Sequence, residues 1–141
     1  MVPEQEFSDR QIIELCRQLS PDFSFSTLYQ WQKDLLLTYF RTRSLKRNIL
    51  ITASTASGKT HVISLFILRE LLYNKKSVIF VVPYISLVDE LTERFKNLLP
   101  GSCCLCALTG LKQIPQFINS KPSLYIVTIE KSISLIKYME S

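Results

Sequence analysis

A parallel β-sheet covered by helices on both faces is the α/β fold class that this sequence predicts, and two observations predict it. Four short runs are apolar almost without interruption: "NILITA" from Asn48, "SVIFVVP" from Ser77, "CCLCALT" from Cys103 and "SLYIVT" from Ser123. The first, second and fourth lead into stretches with apolar residues at helical spacing, and the third into a shorter irregular or helical piece. Continuously apolar strands are those buried on both faces, and strands that alternate with helices pair in parallel through right-handed crossovers.

The elements can be justified in order. "SDRQIIELCRQL" predicts a helix capped by Ser8 or Asp9, with Ile12, Ile13, Leu15, Cys16 and Leu19 on its apolar side and Pro21 ending it. "STLYQWQKDLLLTYFRT" predicts a second amphipathic helix, capped by Ser26 or Thr27. After the "NILITA" strand, residues 59–74 read as a helix. After "SVIFVVP" comes the helix "YISLVDELTERFKNLL", closed by Pro100-Gly101, and after "SLYIVT" the helix "EKSISLIKYME". No internal repeat, low-complexity tract or linker interrupts this order. The chain stops inside its last helix, so the α/β domain is expected to be truncated.

Composition narrows the class. At 141 residues the chain is one domain's worth, or a piece of one. No apolar run reaches the roughly 18 to 20 residues that cross a bilayer, and "MVPEQEFSDR" lacks the basic start and apolar core of a secretory signal. No membrane role is expected, and the default location is cytosolic or nuclear. The net charge of +5 suits a polyanionic partner. Much of it sits in Arg41, Arg43, Lys46 and Arg47, a cluster that reads first as a solvated connector. Of the four cysteines, Cys103, Cys104 and Cys106 lack the two-residue gap of a zinc site and have no histidine nearby. They read as reduced thiols in a buried strand.

The chemistry is concentrated in "ASTASGKT", residues 53–60, between one apolar run and a helical one. A strand–loop–helix with Gly-Lys-Thr at its close offers inward backbone N–H groups, a helix N-terminus and a cation to a triphosphate. Thr55, Ala56, Ser57 and Gly58 would supply the cradle, and Lys59 would reach the β- and γ-phosphates. Thr60 would present its hydroxyl to Mg²⁺. Ala53 stands where such loops usually carry their first glycine. Upstream, Gln32 in "LYQWQ" offers a donor and an acceptor on one amide, the pair that adenine displays, and Tyr29 could cover the face of the base. His61, the single histidine, reads as packed or solvated in the first turn of the helix.

Taken together, these motifs resemble the first motor domain of superfamily 2 helicases, and within them the family of the polymerase theta helicase domain and its helicase-only relatives. "LYQWQ" resembles the family's aromatic-x-Trp-Gln stretch and "ASTASGKT" its alanine-first loop, with two small middle residues exchanged. "FVVPYISLVDE" resembles the motif after the second strand, with Pro83 and Tyr84 opening a helix. Thr109-Gly110 resembles the family's Thr-Gly turn, and Thr128, Glu130 and Lys131 its Thr-x-Glu-Lys motif. "SLYIVTIEK" is closer to the free-standing than to the polymerase-linked form.

The resemblance implies a RecA-like P-loop NTPase domain over residues 27–141, preceded by a helical extension over residues 1–26. It implies ATP and Mg²⁺ as cofactors, with Tyr29, Gln32 and residues 55–60 as the ATP site. It also implies 3′ to 5′ translocation on single-stranded or forked DNA in nuclear repair, with Pro83, Tyr84, Thr109, Gly110, Thr128, Glu130 and Lys131 on the DNA. Each of these has a plainer reading: a strand stop, a turn, a helix cap and a solvated first turn.

The family's hydrolysis needs an Asp-Glu pair at the end of a further buried strand. Asp89-Glu90 does not qualify, because it sits within a helical pattern and precedes the Thr-Gly and Thr-x-Glu-Lys motifs. No other such pair follows Glu130. Catalytic residues are therefore absent from this stretch, and the chain alone is expected not to turn ATP over. Two alternatives stay open: a non-catalytic nucleotide- or DNA-binding module, and a small kinase, for which no arginine-rich lid follows residue 94. An unpartnered "NILITA" strand would also leave an open sheet edge. The isolated chain is accordingly expected to be marginally folded, and a cooperative melt well above 37 °C in calorimetry would contradict this.

Overall fold

The computed structural model describes residues 6–41, 48–52, 58–109 and 121–140. The chain divides into two compact units, Met1–Glu70 and Leu71–Ser141.

The first unit is helical. α1 (Asp9–Leu19) begins at Ser8, and the cap is reciprocal: the Gln11 amide N–H donates to Ser8 Oγ at 3.3 Å, and the Ser8 N–H to Gln11 Oε1 at 2.8 Å. Ile12, Cys16 and Leu19, one helical face, are buried. Burial pushes the Cys16 thiol up to about 12, with Arg69 opposing the shift. The second helix starts later than Ser26 or Thr27. Thr27 donates its hydroxyl to the Ser24 carbonyl at 2.9 Å and closes a short 3₁₀ turn, Phe25–Thr27. Such local side-chain bonding competes with helix entry, and α2 (Gln30–Tyr39) opens at Tyr29 instead.

α3 (Lys59–Leu68) follows Gly58 and runs into a π-turn, Arg69–Tyr73, so the helix expected over 59–74 is present with a change of pitch. The "NILITA" strand is not borne out. Residues 48–52 are not in strand, and Leu50 is 91 % exposed. An apolar run becomes a strand only where a neighbour supplies ladder partners. Arg43, Lys46, Arg47 and Ala53 lie outside the described residues.

The second unit is the expected parallel α/β layer. β1 (Val78–Val82), α4 (Ile85–Lys96), β2 (Cys104–Leu108), β3 (Ser123–Thr128) and α5 (Ile129–Glu140) follow in that order. The sheet order is β1-β3-β2 with both pairs parallel, Val82 opposite Thr128 and Leu108 opposite Val127. β3 is buried along its whole length. Its Tyr125 and Val127 pack with Leu108 and with Leu135 of α5. Alternation turns Leu124 and Ile126 to the other face, where α4, with Val88, Leu91 and Phe95 buried, packs on β2 and β3.

Burial on both faces, expected of every strand, holds for β3 alone. β1 and β2 are the edges of the sheet among the described residues and are mostly half-buried, with Val81 44 % exposed. Cys103, Cys104 and Cys106, none of them in a disulfide, lie at or in the edge strand β2 and are correspondingly half-buried. Ile126→Ala should lower the unfolding free energy by about 2–5 kcal/mol. Ile133→Ala, on the exposed side of α5, should change it by less than about 0.5 kcal/mol. Urea titration measures both.

Candidate nucleotide site and nucleic-acid interface

The first site is the N-terminus of α3. Gly58 stands at φ 83°, ψ 19°, a left-handed conformation that only glycine adopts without strain. A Cβ there would also collide with Gln32 Nε2. Lys59 and Thr60, half-buried, form the first helical positions, where the backbone N–H groups have no partner within the helix.

Gln32 is buried at the start of α2 and ties this site together. Its Nε2 donates to the Gly58 carbonyl at 3.0 Å, and its Oε1 accepts from the Tyr29 N–H at 2.8 Å. A carboxamide carries two N–H groups and two lone pairs, and these bonds use one of each. Tyr29 is 60 % exposed beside it. His61 stacks on Phe23 with centroids 6.4 Å apart, the packed one of the two roles open to it. Thr55, Ala56 and Ser57 lie outside the described residues.

The second site lies in the other unit, where β1 and β3 end side by side. An open cleft of about 550 Å³ is lined by Pro83, Tyr84, Thr128, Glu130 and Lys131. Five residues singled out from two separate motifs thus meet in one place. The register explains it: Val82 is paired with Thr128, so the segments that leave the two strands must be neighbours. Both α4 and α5 begin here, which aims two helix N-termini towards the cleft. Tyr84 is 65 % exposed, Thr128 is buried and Lys131 is half-buried.

Thr109 directly follows β2 at the same end of the sheet but does not line the cleft, and Gly110 lies outside the described residues. Sequence reasoning missed Ser86 and Ser134, whose residues also line it. Ser134 lies one turn beyond Glu130 and Lys131, a helical spacing that could have flagged it. Asp89 and Glu90 are exposed in the middle of α4, away from any strand end. Among the described residues no group of His, Cys, Asp and Glu could hold a metal ion, and no helix is long and apolar enough to cross a membrane.

Residues 33–141 match the family model described as DEAD/DEAH box helicase. The chain belongs to the DEAD/DEAH box helicase family. Within it, the chain is a POLQ-like superfamily 2 region. "Helicase POLQ-like" of Drosophila melanogaster is 32 % identical over 118 residues, which is 79 % of this chain and 11 % of that protein. The human protein of the same name is 31 % identical over 77 % of this chain and 10 % of its own length. "ATP-dependent RNA helicase DBP6" of Vanderwaltozyma polyspora is 27 % identical over 87 % of this chain and 22 % of its own. The chain thus spans about a tenth of the length of the POLQ-like relatives.

A DEAD/DEAH box helicase domain uses ATP, typically with Mg²⁺, and binds nucleic acid. The residues present fit a nucleotide. Gly58 lets the backbone approach closely, Lys59 brings an ammonium, and Thr60 brings a hydroxyl of the kind that binds magnesium. The close approach of Gly58 to Gln32 has a direct consequence. Gly58→Ala should cost more than about 1 kcal/mol of unfolding free energy in urea titration. Gly101→Ala, with open space around it, should change it by less than about 0.5 kcal/mol.

Proposed function

We propose that residues 27–141, with residues 1–26 as a helical extension, form the ATP-binding part of a 3′ to 5′ DNA helicase of the repair type, acting in the nucleus. The observation that carries this reading is the cleft itself. Pro83, Tyr84, Thr128, Glu130 and Lys131 meet at the C-terminal edge of a parallel sheet, where open α/β folds take their ligands. A cleft bounded by two helix N-termini and a lysine can grip successive phosphates without reading bases. Tyr84, exposed at its rim, offers a ring to a base. The similarity to "DNA polymerase theta" of Mus musculus favours DNA, and single-stranded or forked DNA is the substrate class proposed.

In the nucleotide site the proposed roles are those that the motif and the Gln32–Gly58 bond support. Residues 55–58 would supply the phosphate cradle, Lys59 would contact the terminal phosphates, and Thr60 would offer its hydroxyl to magnesium. Gln32 and Tyr29 take the adenine, Gln32 with the N–H and lone pair that its bonds to Gly58 and Tyr29 leave over. Bound Mg²⁺–ATP would supply the free energy for translocation, and this chain's part is to hold and orient it. With Asp89 and Glu90 exposed in mid-helix, no carboxylate pair of the described residues stands ready to orient an attacking water. We therefore propose that the chain by itself binds nucleotide without hydrolysing it appreciably. That favours a binding module as the second reading of the isolated chain.

Two measurements test this. Magnesium-dependent binding of a fluorescent ATP analogue should weaken at least about tenfold in Lys59→Ala, and binding indifferent to that change would remove the nucleotide site. Lys131→Ala should weaken single-stranded DNA binding across sequences and reduce the salt slope by about one. Preference for RNA over DNA of the same sequence would point to the other substrate class.

A further inference from the structure

Arg69 is a charged side chain to which neither proposed site gives a role. It is fully buried, the largest such side chain among the described residues. One guanidinium nitrogen donates to the Tyr39 carbonyl at 3.3 Å and the other to Glu70 Oε1 at 3.3 Å. The guanidinium carbon lies 4.3 Å from the centre of the Phe40 ring and 5.3 Å from that of Phe66. Those two rings meet edge to face at 4.7 Å. Burial lowers the Arg69 pKa from its ordinary value, and Glu70 partly restores it.

A cation in this position is not required for packing, since apolar side chains of similar volume usually serve a core as well or better. What it does is connect. Tyr39 is the last residue of α2, and its carbonyl belongs to the set that a helix C-terminus leaves unsatisfied. Phe40 follows α2, whereas Phe66 and Arg69 lie on and just after α3. The C-terminal ends of α2 and α3 are therefore joined through one guanidinium. The N-terminal ends are joined through one carboxamide, that of Gln32 on the Gly58 carbonyl. From Gln32 to Tyr39 is two turns of helix, about 10 Å, and from Gly58 to Arg69 three turns, about 16 Å. Over such lengths a helix is effectively a rod, so what is fixed at one end determines the other.

We infer that Arg69 is a positioning residue: by clamping the far ends of α2 and α3 it holds Gln32 in place on Gly58, and so sets how the carboxamide meets a nucleobase. The part concerning the base rests on the adenine role proposed for Gln32, and the part concerning Gly58 does not. Arg69 touches no ligand, and its effect passes through the two helices.

The test uses the 141-residue chain with Arg69→Met, which fills the space without a donor. Far-ultraviolet circular dichroism should show it folded. By NMR, the Gln32 side-chain amide protons should exchange with solvent at least about tenfold faster than in the parent chain. The ratio of ATP to GTP affinity should fall by about threefold or more, with no further fall when the change is made in a Gln32→Ala background.

A folded Arg69→Met chain with unchanged Gln32 exchange overturns the inference. So do ATP and GTP affinities that fall in equal proportion, or effects of the two changes that simply add. A parent chain that binds no nucleotide would defeat the proposed function, while the exchange measurement would still decide the role of Arg69. Should Arg69→Met fail to fold, Arg69→Lys keeps the charge but not the planar fork. It should speed the exchange by about threefold or more, and an unchanged rate there overturns the inference equally.

Discussion

Parallel pairing of β3 with both of its neighbours is the constraint on which the second unit depends. Parallel strands deliver every following segment to the same edge of the sheet, and the register decides which segments become neighbours. Val82 faces Thr128 across β1 and β3, so two motifs separated by most of the unit's sequence are brought together at one cleft. Burial of β3 along its length makes that register costly to change, because a shift of one residue would turn Leu124 and Ile126 to the opposite face. Apolar packing thus specifies a polar site at its margin.

The first unit solves the same problem differently. Helices have no ladder to set their register, and here single side chains do so. Gln32 spans 26 residues of sequence to reach Gly58. Gly58 can offer its carbonyl there because it has no side chain and tolerates a left-handed backbone. The two residues are mutually dependent: the glycine leaves room for the amide, and the amide occupies the space that a Cβ would fill.

Much of this was legible in the sequence, and the failures are instructive. Ser8, one of the two caps offered for the first helix, is the one the structure uses, and the reciprocal bond from Gln11 was not singled out. The strands β1, β2 and β3 stand close to where apolar runs placed them, because a parallel layer leaves such runs few alternatives. "NILITA" misled because composition records that a segment can be a strand, not whether a partner is beside it. α2 began later than Ser26 and Thr27 suggested, because Thr27 spends its hydroxyl on Ser24. At the cleft, motif order identified Pro83, Tyr84, Thr128, Glu130 and Lys131, yet Ser86 and Ser134 depend on which turns of α4 and α5 face it. Arg69 gave no signal at all, since an arginine late in a helix ordinarily reads as solvated.

The Phe7 N–H donates to the Arg41 carbonyl at 2.7 Å, and Arg41 returns a bond to the Phe7 carbonyl at 3.3 Å and pairs with Asp9. α1 packs on both α2 and α3. The leading segment is therefore not a detachable tail. A shortened chain beginning near residue 27 would remove Ile12, Cys16 and Leu19, the buried face of α1, and uncover the parts of α2 and α3 on which that helix packs. Truncation meant to isolate the nucleotide-binding region would produce a sticky fragment, and its behaviour would say little about the intact molecule.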